Sequence, residues 1–402
     1  MQAMFKKVRR PCPICMGDTG DVLHHQRFVI PDRYRLPDSY DVVSCKRCGF
    51  VYADTPARQE DYDRYYKECS IYEDVELASG GGATEWDARR LDRTAADIER
   101  ILSDKNAAIV DLGCANGGLL MALKDRGFLN VTGIDPSPTC VAHVGNQGIR
   151  CFVGGLFANE PNWFSAIGGP FDCVILCHVL EHVLDLKTAL ENVMQLVKTN
   201  GILYIEVPNA SRYADCPVAP YYYFDCEHIN HFEGISMSNL LGQYGCRPIE
   251  SREKEIQVSD SVAYPAVYCA FVKTDRRLIF IAPVPDLKSR QSILAHIEIS
   301  YRGSGTKTLE DLARNQTEII VWGAGSHTLR LLGNTPLGKC NIAGFVDKDS
   351  KKQGLKIMDI PVRSPAFLRS FTGPVVICSA LHSQEILREL RGMECKNEAI
   401  VL

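Results

Sequence analysis

The 402-residue sequence lacks a strong charge of either sign: 45 lysines and arginines stand against 49 aspartates and glutamates, a net −4 with histidine neutral. That balance gives no electrostatic case for a nucleic-acid partner. It also lacks any apolar run of membrane-spanning length, and the short basic run Lys6–Arg10 is followed by Pro11 and Cys12 instead of an apolar segment. Neither a signal peptide nor a membrane span is expected, and the protein reads as cytoplasmic. Cysteine is not lacking: there are 17, an odd number scattered along the chain. They fit a reducing compartment with free thiols and a metal site better than a disulfide framework. The 46% hydrophobic and 23% charged content is that of a soluble globular protein, long enough for two or three domains.

The most informative stretch is Ala107–Asp135. Four apolar or small residues lead to Asp111, a turn carries Gly113, Gly117 and Gly118, and Leu119, Leu120, Met121 and Leu123 follow at helical spacing. This reads as strand, tight turn and helix, with Val131–Ile134 a second strand ending on Asp135. Glycines let the backbone approach a ligand, the helix start offers free N–H groups, and an acid ending the second strand can accept from a ribose diol. A nucleoside-containing cofactor is placed here. The loop Asp111-Leu-Gly113-Cys-Ala115-Asn-Gly117-Gly118 has a carboxylate where a dinucleotide's pyrophosphate would be repelled, but where the ammonium of a methionine moiety is attracted. S-adenosylmethionine is therefore favoured over NAD. The loop resembles the first motif of class I methyltransferases, acidic-x-Gly-x-Gly-x-Gly, with Ala115 replacing the middle glycine.

Two C-x2-C knuckles, Cys12-Pro-Ile-Cys15 and Cys45-Lys-Arg-Cys48, are separated by 29 residues. Each knuckle presents two thiolates, so the pair closes a tetrahedral site for Zn2+ with no open position, a structural site. His24 and His25 between them are alternative ligands, and a redox pair is a disfavoured alternative. Further on, Tyr62, Tyr65, Tyr66 and Tyr72 crowd a polar segment and either line a pocket or form a packing surface. Gly80–Gly82 reads as a flexible break and Trp86–Leu102 as a helix.

After Asp135, the stretch Cys151–Gly155 reads as the end of a third strand, Phe171–Cys177 as a fourth central one, and Gly201–Pro208 as a fifth that closes the sheet pattern. Gly155 falls where such folds place residues that flank the adenine. The fourth strand delivers His178, Glu181 and His182 to its carboxyl end, where ligands bind in open α/β sheets. Val179–Val183 resembles the "vLEHv" phrase common at this point in methyltransferases. His178 is a candidate for cofactor contact, and Glu181 and His182 either contact the cofactor or catalyse, or serve in capping and helix packing. Leu186–Leu196 is an amphipathic helix. The run Tyr221–Phe232 holds three tyrosines, two histidines and two acids beyond a strand end. A histidine beside a carboxylate can act as a base near neutral pH, so His228 with Glu227 is the first candidate and His231 the second. Tyr222 either holds a substrate oxygen or packs, and the alternative for the histidines, His231 above all, is to pin the loop to the sheet. A connecting helix over Asp286–Tyr301 precedes strands at Glu318–Trp322, Ile342–Asp347 and Pro374–Ser379. The turn Gly323-Ala-Gly325-Ser-His327 follows the first of them. This small doubly wound unit either binds substrate phosphates or a nucleotide, or only packs.

In this order the parts resemble the sugar C-methyltransferases acting on nucleotide-linked deoxysugars. The resemblance implies an α/β fold: a Rossmann-like class I methyltransferase core (63–275) with a small N-terminal zinc-binding domain (1–62) and a C-terminal Rossmann-like domain (276–402). It further implies a nucleotide-linked keto-sugar as small-molecule partner, deprotonated beside its carbonyl by the Glu227–His228 pair before the carbon takes the methyl. The chain departs from the family: Asp225-Cys226-Glu227-His228 stands where Y-H-E-H is usual, Tyr264–Tyr268 where H-G-G-S is usual, and Gly-Ala-Gly-Ser-His where G-A-A-A-K-G is usual. A sugar O-methyltransferase, with His228 deprotonating a hydroxyl, is the competing reading, and a non-catalytic cofactor-binding scaffold a third.

Overall fold

The apolar run Phe171–Cys177 lies at the centre of the middle sheet in a computed structural model of the chain, which describes residues 4–31, 34–68, 80–157, 167–260, 262–274, 282–303, 306–393 and 395–402. The chain begins with an antiparallel meander: β1 (Met4–Lys7), β2 (Thr19–Arg27), β3 (Ser39–Cys45) and β4 (Val51–Asp54). The knuckles occupy its turns, Cys12 and Cys15 between β1 and β2, Cys45 and Cys48 around the β3–β4 turn. At the second turn Gly49 has φ +76°, and a Cβ there would run into the backbone of Asp286.

Two helices follow, α1 (Gln59–Glu68) and α2 (Glu85–Ile101), the second started by Thr84, whose side chain accepts from the Asp87 N–H. Ahead of α2 the expectation of a flexible break at Gly80–Gly82 is not met. The Asp87 carboxylate accepts the N–H groups of Gly80 and Gly82, both at 2.8 Å, and the Gly80 carbonyl accepts from Gly118 at 3.0 Å. The glycines form a strap lying flat on the motif loop, because a Cβ at Gly118 would collide with it.

The middle sheet has seven strands. β5 (Ala108–Leu112), β6 (Asn130–Asp135), β7 (Arg150–Val153), β8 (Phe171–Cys177) and β9 (Val197–Pro208) are parallel, joined in part by α3 (Gly118–Asp125), α4 (Pro138–Asn146) and α5 (Leu186–Leu196). The sheet does not close at the fifth strand. After the two-residue β10 (Asn230–His231) and α6 (Gly234–Gly242), the hairpin of β11 (Cys246–Gln257) and β12 (Ala263–Lys273) adds two antiparallel strands, giving the order β11-β12-β9-β8-β5-β6-β7. β12 is buried from Pro265 to Phe271 and pairs on both sides, whereas β11 is a mostly exposed edge, which charged residues keep wet.

A long helix, α7 (Leu287–Arg302), capped by Asp286, and then α8 (Thr306–Asn315) lead to the last sheet. It consists of β13 (Glu318–Trp322), β14 (Asn341–Val346), β15 (Lys356–Ile357), β16 (Ile360–Arg363), β17 (Val375–Ile377) and β18 (Ala399–Val401), in the order β15-β16-β14-β13-β17-β18, with α9 (Ser326–Asn334) and α10 (Ser383–Gly392) beside it. All its pairings except β15–β16 are parallel.

β10 leaves the middle of the chain to pair with β4, Asn230 opposite Tyr52, so the first sheet is completed by residues next to the loop 221–229. The four knuckle cysteines share one buried cluster with Val110, Leu176 and Leu203 of the middle sheet. Among the described residues, no helix is long and apolar enough to cross a membrane.

Candidate functional site

The loop between β5 and α3 takes its shape from local sterics. Gly113 and Gly117 have φ +80° and +78°, and a Cβ at either would press to 2.9 Å from Val179 or 2.7 Å from Val144. Ala115, in place of the family's middle glycine, also adopts a left-handed conformation, φ +46°. Its N–H donates to Asp135 Oδ2 at 2.8 Å, and the Ser137 N–H donates to Oδ1 at 2.9 Å. The carboxylate at the end of β6 thus fixes the loop while each oxygen retains a lone pair for a diol. Asp111 is buried at the end of β5 and its Oδ1 has no hydrogen-bond partner. Burial, with Asp135 nearby, pushes its carboxyl up to about 7. A buried carboxyl of this kind fits a ligand that brings a positive charge. Gly155 has open space where a Cβ would stand. The loop therefore fits S-adenosylmethionine: an orphaned carboxyl oxygen for the ammonium, an acid for the ribose and a narrow glycine cradle.

Arg90, which sequence reasoning missed, lies beside this loop. It pairs with Asp87 at 2.7 Å and is raised by Tyr264 and Cys177 against the burial that lowers it. Its signal was its phase on α2: Asp87, Leu91, Thr94, Ala95 and Ile98 form the buried stripe, and position 90 falls within it.

His178 has φ +56° at the carboxyl end of β8. Both its ring nitrogens are engaged: Nδ1 with Glu181 at 3.1 Å, Nε2 with Glu206 at 3.5 Å and the Tyr264 hydroxyl at 3.4 Å. Against burial, which lowers it, the two carboxylates hold this imidazole above its usual range. The ring is thus tied to protein groups rather than presented to a ligand.

A second cluster of polar side chains is built by the loop preceding β10, the turn after β8 and α1. Burial pushes His182 and His228 down to about 4, so both are neutral at pH 7. Their rings meet edge to face with centroids 4.7 Å apart. His182 Nδ1 shares a 2.9 Å hydrogen bond with the Tyr66 hydroxyl, and the Tyr65 hydroxyl donates to Glu227 Oε1 at 2.6 Å. Tyr62 donates to the Cys226 carbonyl at 3.2 Å. Three of the four tyrosines therefore touch this cluster, and Tyr72 lies outside the described residues. Glu227 does not bond His228; burial and the neighbouring Asp225 push it up to about 7. Tyr222 lies under the Arg330 guanidinium, 5.8 Å from the ring centre. His231 is fully buried in β10, with Tyr213 at 3.4 Å, a packing residue.

The four cysteines of the knuckles are buried, and their sulfurs lie within 4.8 Å of one another, Cys12–Cys48 and Cys15–Cys45 at 3.5 Å. Sulfurs about 2.3 Å from one tetrahedral zinc stand roughly 3.8 Å apart, so the cluster fits that ion. The histidines between the knuckles are elsewhere: His24 stacks on Tyr221 and His25 pairs with Asp41 at 2.7 Å.

The C-terminal turn repeats the first. The Ala324 N–H donates to Asp347 Oδ2 at 2.8 Å and the Asp349 N–H to Oδ1 at 2.9 Å, while Gly323 has φ +114°. Arg330 of α9 pairs with Asp225 of the loop preceding β10.

Against known proteins, residues 86–251 match the family model described as "Methyltransferase domain", and residues 315–401 match "C2185-like, N-terminal". The ubiquinone biosynthesis O-methyltransferase of Caulobacter vibrioides is 32% identical over 105 residues, 25% of this chain and 40% of that protein. The C-methyltransferase NovU of Streptomyces niveus is 21% identical over 229 residues, 56% of this chain and 51% of that one. The chain thus spans about two fifths of the length of the ubiquinone O-methyltransferases it matches. A solved Burkholderia thailandensis 1,6-didemethyltoxoflavin-N1-methyltransferase with bound S-adenosylhomocysteine aligns at 17% identity and TM-score 0.39, over 57% of this chain and 97% of that one.

Proposed function

We propose, starting from the methyltransferase domain of residues 86–251, that this protein transfers the methyl group of S-adenosylmethionine to a small nucleotide-linked sugar. The observation that carries the first half is the buried Asp111 carboxyl with an unpartnered oxygen ahead of the glycine cradle. Asp111 meets the ammonium, Arg90 meets the carboxylate of the methionine moiety, Asp135 accepts from the ribose, and Gly155 leaves room beside the base. When bound, S-adenosylmethionine supplies a methyl group on a sulfonium, and on transfer the C–S electron pair stays on sulfur as a neutral thioether.

The chain's own residues then align the acceptor and remove one proton from it. Alignment alone can supply roughly 7–11 kcal/mol of the barrier, and a base typically about 10²–10⁴-fold. His228, neutral at pH 7, takes the proton, with Glu227 next to it and Tyr222 holding an acceptor oxygen. What supports a nucleotide-linked acceptor is the second glycine turn, whose Ala324–Asp347 bond repeats Ala115–Asp135 and whose helix α9 reaches the acceptor loop through Arg330. Structural zinc at Cys12, Cys15, Cys45 and Cys48 holds the first sheet. We favour carbon over oxygen as the acceptor atom on the resemblance of the Glu227–His228 pair. An oxygen acceptor is the second reading, favoured by the similarity to O-methyltransferases.

The test offers sugar nucleotides and their keto forms with S-adenosylmethionine and reads the gain of one methyl group by mass spectrometry. With a keto-sugar and S-adenosylhomocysteine in heavy water, a carbon acceptor takes up deuterium beside its ketone, and His228→Ala slows that exchange about 10²–10⁴-fold. An oxygen acceptor shows no carbon-bound exchange. Absence of methylation across the panel, with the cofactor bound, would sink the sugar assignment.

A further inference from the structure

Glu181 is 2% exposed, and its Oε2 has no hydrogen-bond partner. A carboxylate oxygen buried without a donor is costly and asks for a ligand. The nearby donors are imidazoles. His182 has Nδ1 taken by Tyr66 and Nε2 at 4.0 Å from Glu181 Oε1, the oxygen that His178 also engages, and His228 makes no side-chain hydrogen bond among the described residues. The three donor atoms lie within 4.8 Å of one another. Ligands about 2.1 Å from a common ion stand at most roughly 4 Å apart, so the donor atoms lie close to the spacing one ion requires.

Two other groups of potential ligands lie close by and are engaged by protein partners, although Glu206 Oε1 makes no hydrogen bond beyond its 3.5 Å approach to His178. In Cys177–His178–Glu206, Lys254 sits 2.6 Å from Glu206 and both His178 nitrogens are bonded. In Asp225–Cys226–Glu227, Arg330 and Tyr65 take the carboxylates. Only the Glu181 group, among these, combines an orphaned anionic oxygen with imidazoles that have a ring nitrogen to spare.

We propose that Glu181, His182 and His228 bind a divalent transition-metal ion on the acceptor side, separate from the four-cysteine site and resting on the methyltransferase reading of this pocket. Two imidazoles and one carboxylate suit Mn2+, Fe2+, Co2+ or Zn2+, and three protein ligands leave positions open. The Tyr66 hydroxyl fixes the His182 tautomer, as outer-shell partners of metal-bound histidines do. The acceptor class this selects carries two adjacent oxygens, a hydroxyl beside a carbonyl or beside a second hydroxyl, both able to reach the ion. The ion lowers the proton affinity of the acceptor. The released proton passes to the Glu227 carboxylate, beside the Tyr65 hydroxyl at 2.6 Å, and the electron pair left behind attacks the methyl carbon while the C–S pair stays on sulfur. With the ion bound, His228 is a ligand and Glu227 takes the proton that His228 takes in the metal-free reading above, so loss of His228 removes activity by removing the ion.

The experiment uses the full-length protein with zinc in its cysteine site and S-adenosylhomocysteine bound. Mn2+ is titrated and followed by electron paramagnetic resonance, with Zn2+ and Fe2+ as competitors. One Mn2+ per chain is expected, weakened at least tenfold in Glu181→Gln and in His182→Gln, and about 10–100-fold in Tyr66→Phe. S-adenosylhomocysteine affinity, measured by calorimetry on the same samples, stays unchanged in these variants, so loss of the ion is distinguishable from a misfolded cofactor site. Failure of wild-type protein to bind any of the three ions, or binding that both first-named variants retain, overturns the proposal. The methyltransferase reading is tested apart, by whether S-adenosylhomocysteine binds at all.

Discussion

Arg330 on α9 and Asp225, three residues ahead of His228, form a buried ion pair between two units of the chain, with side chains 3% and 15% exposed. Against burial, which raises it, Arg330 holds the Asp225 carboxyl below its usual range. Removing one partner of such a pair leaves an uncompensated buried charge, costing about 3–5 kcal/mol. Arg330→Met should therefore lower the thermal midpoint and slow turnover. Adding Asp225→Asn should restore a large part of the stability, read as a double-mutant cycle. Additive losses would show that the pair does not couple the units.

Asp111 predicts a pH dependence of cofactor binding. Its carboxyl is held up to about 7 in the free protein. The ammonium of the cofactor binds the ionised form, so below about pH 7 binding must release a proton. Calorimetry should find affinity for S-adenosylhomocysteine rising up to tenfold per pH unit as pH approaches 7, then levelling. Asp111→Asn should bind more weakly and flatten the curve. A wild-type affinity that is constant from pH 5 to 8 contradicts the role given to Asp111.

Asp135 is tested differently, since its oxygens hold backbone N–H groups on both sides of the cradle. Asp135→Ala frees two donors and a ribose partner. Affinity should fall by at least tenfold at every pH, at about 1.4 kcal/mol per factor of ten. Unchanged affinity would remove the residue from the site.

The cysteine site predicts one zinc per chain by elemental analysis of carefully purified protein. Cys45→Ser should lose the metal and loosen the first sheet, because metal binding and local folding are coupled. S-adenosylhomocysteine binding should persist. Protein with no stoichiometric metal would remove the zinc assignment.

Buried histidines set the response to acid. Burial pushes His231 and His327 down to about 3 and His296 to about 4. An unfolded chain takes up these protons near pH 6.5, so between about 6.5 and 3 it binds more protons than the native state and stability falls as pH falls. Each imidazole contributes a slope of up to about 1.4 kcal/mol per pH unit. Thermal midpoints should drop steadily below pH 6.5, and His231→Gln should shallow the fall. A midpoint insensitive to acid down to pH 4 would mean that these rings are not held neutral.

The sequence was most legible where periodicity and sterics are local. The helix over Leu186–Leu196 and the strand over Phe171–Cys177 lie where their patterns put them. The hairpin of β11 and β12 was less legible, because an edge strand reading Cys-Arg-Pro-Ile-Glu-Ser-Arg-Glu-Lys-Glu carries charge on most positions and shows no alternation. Gly80–Gly82 looked mobile because its restraint, the Asp87 carboxylate, belongs to the following helix. At the site, the loop shape was readable from its glycines. The Tyr66–His182 bond was not, since it joins positions 116 apart, and neither was the separation of Glu227 from His228, which depends on Tyr65 drawing the carboxylate away.

The pairing of β10 with β4 has a consequence for synthesis on the ribosome. Asn230 opposite Tyr52 closes a loop through nearly the whole middle sheet, and Arg330 closes another onto Asp225. Contacts of such sequence separation form late, after the loop entropy they enclose has been overcome. The cofactor cradle, local to residues 111–137, can take shape while the chain is still emerging. The acceptor pocket must wait for α9, so a nascent chain stalled before residue 330 should hold the methyl donor with no completed place for its acceptor.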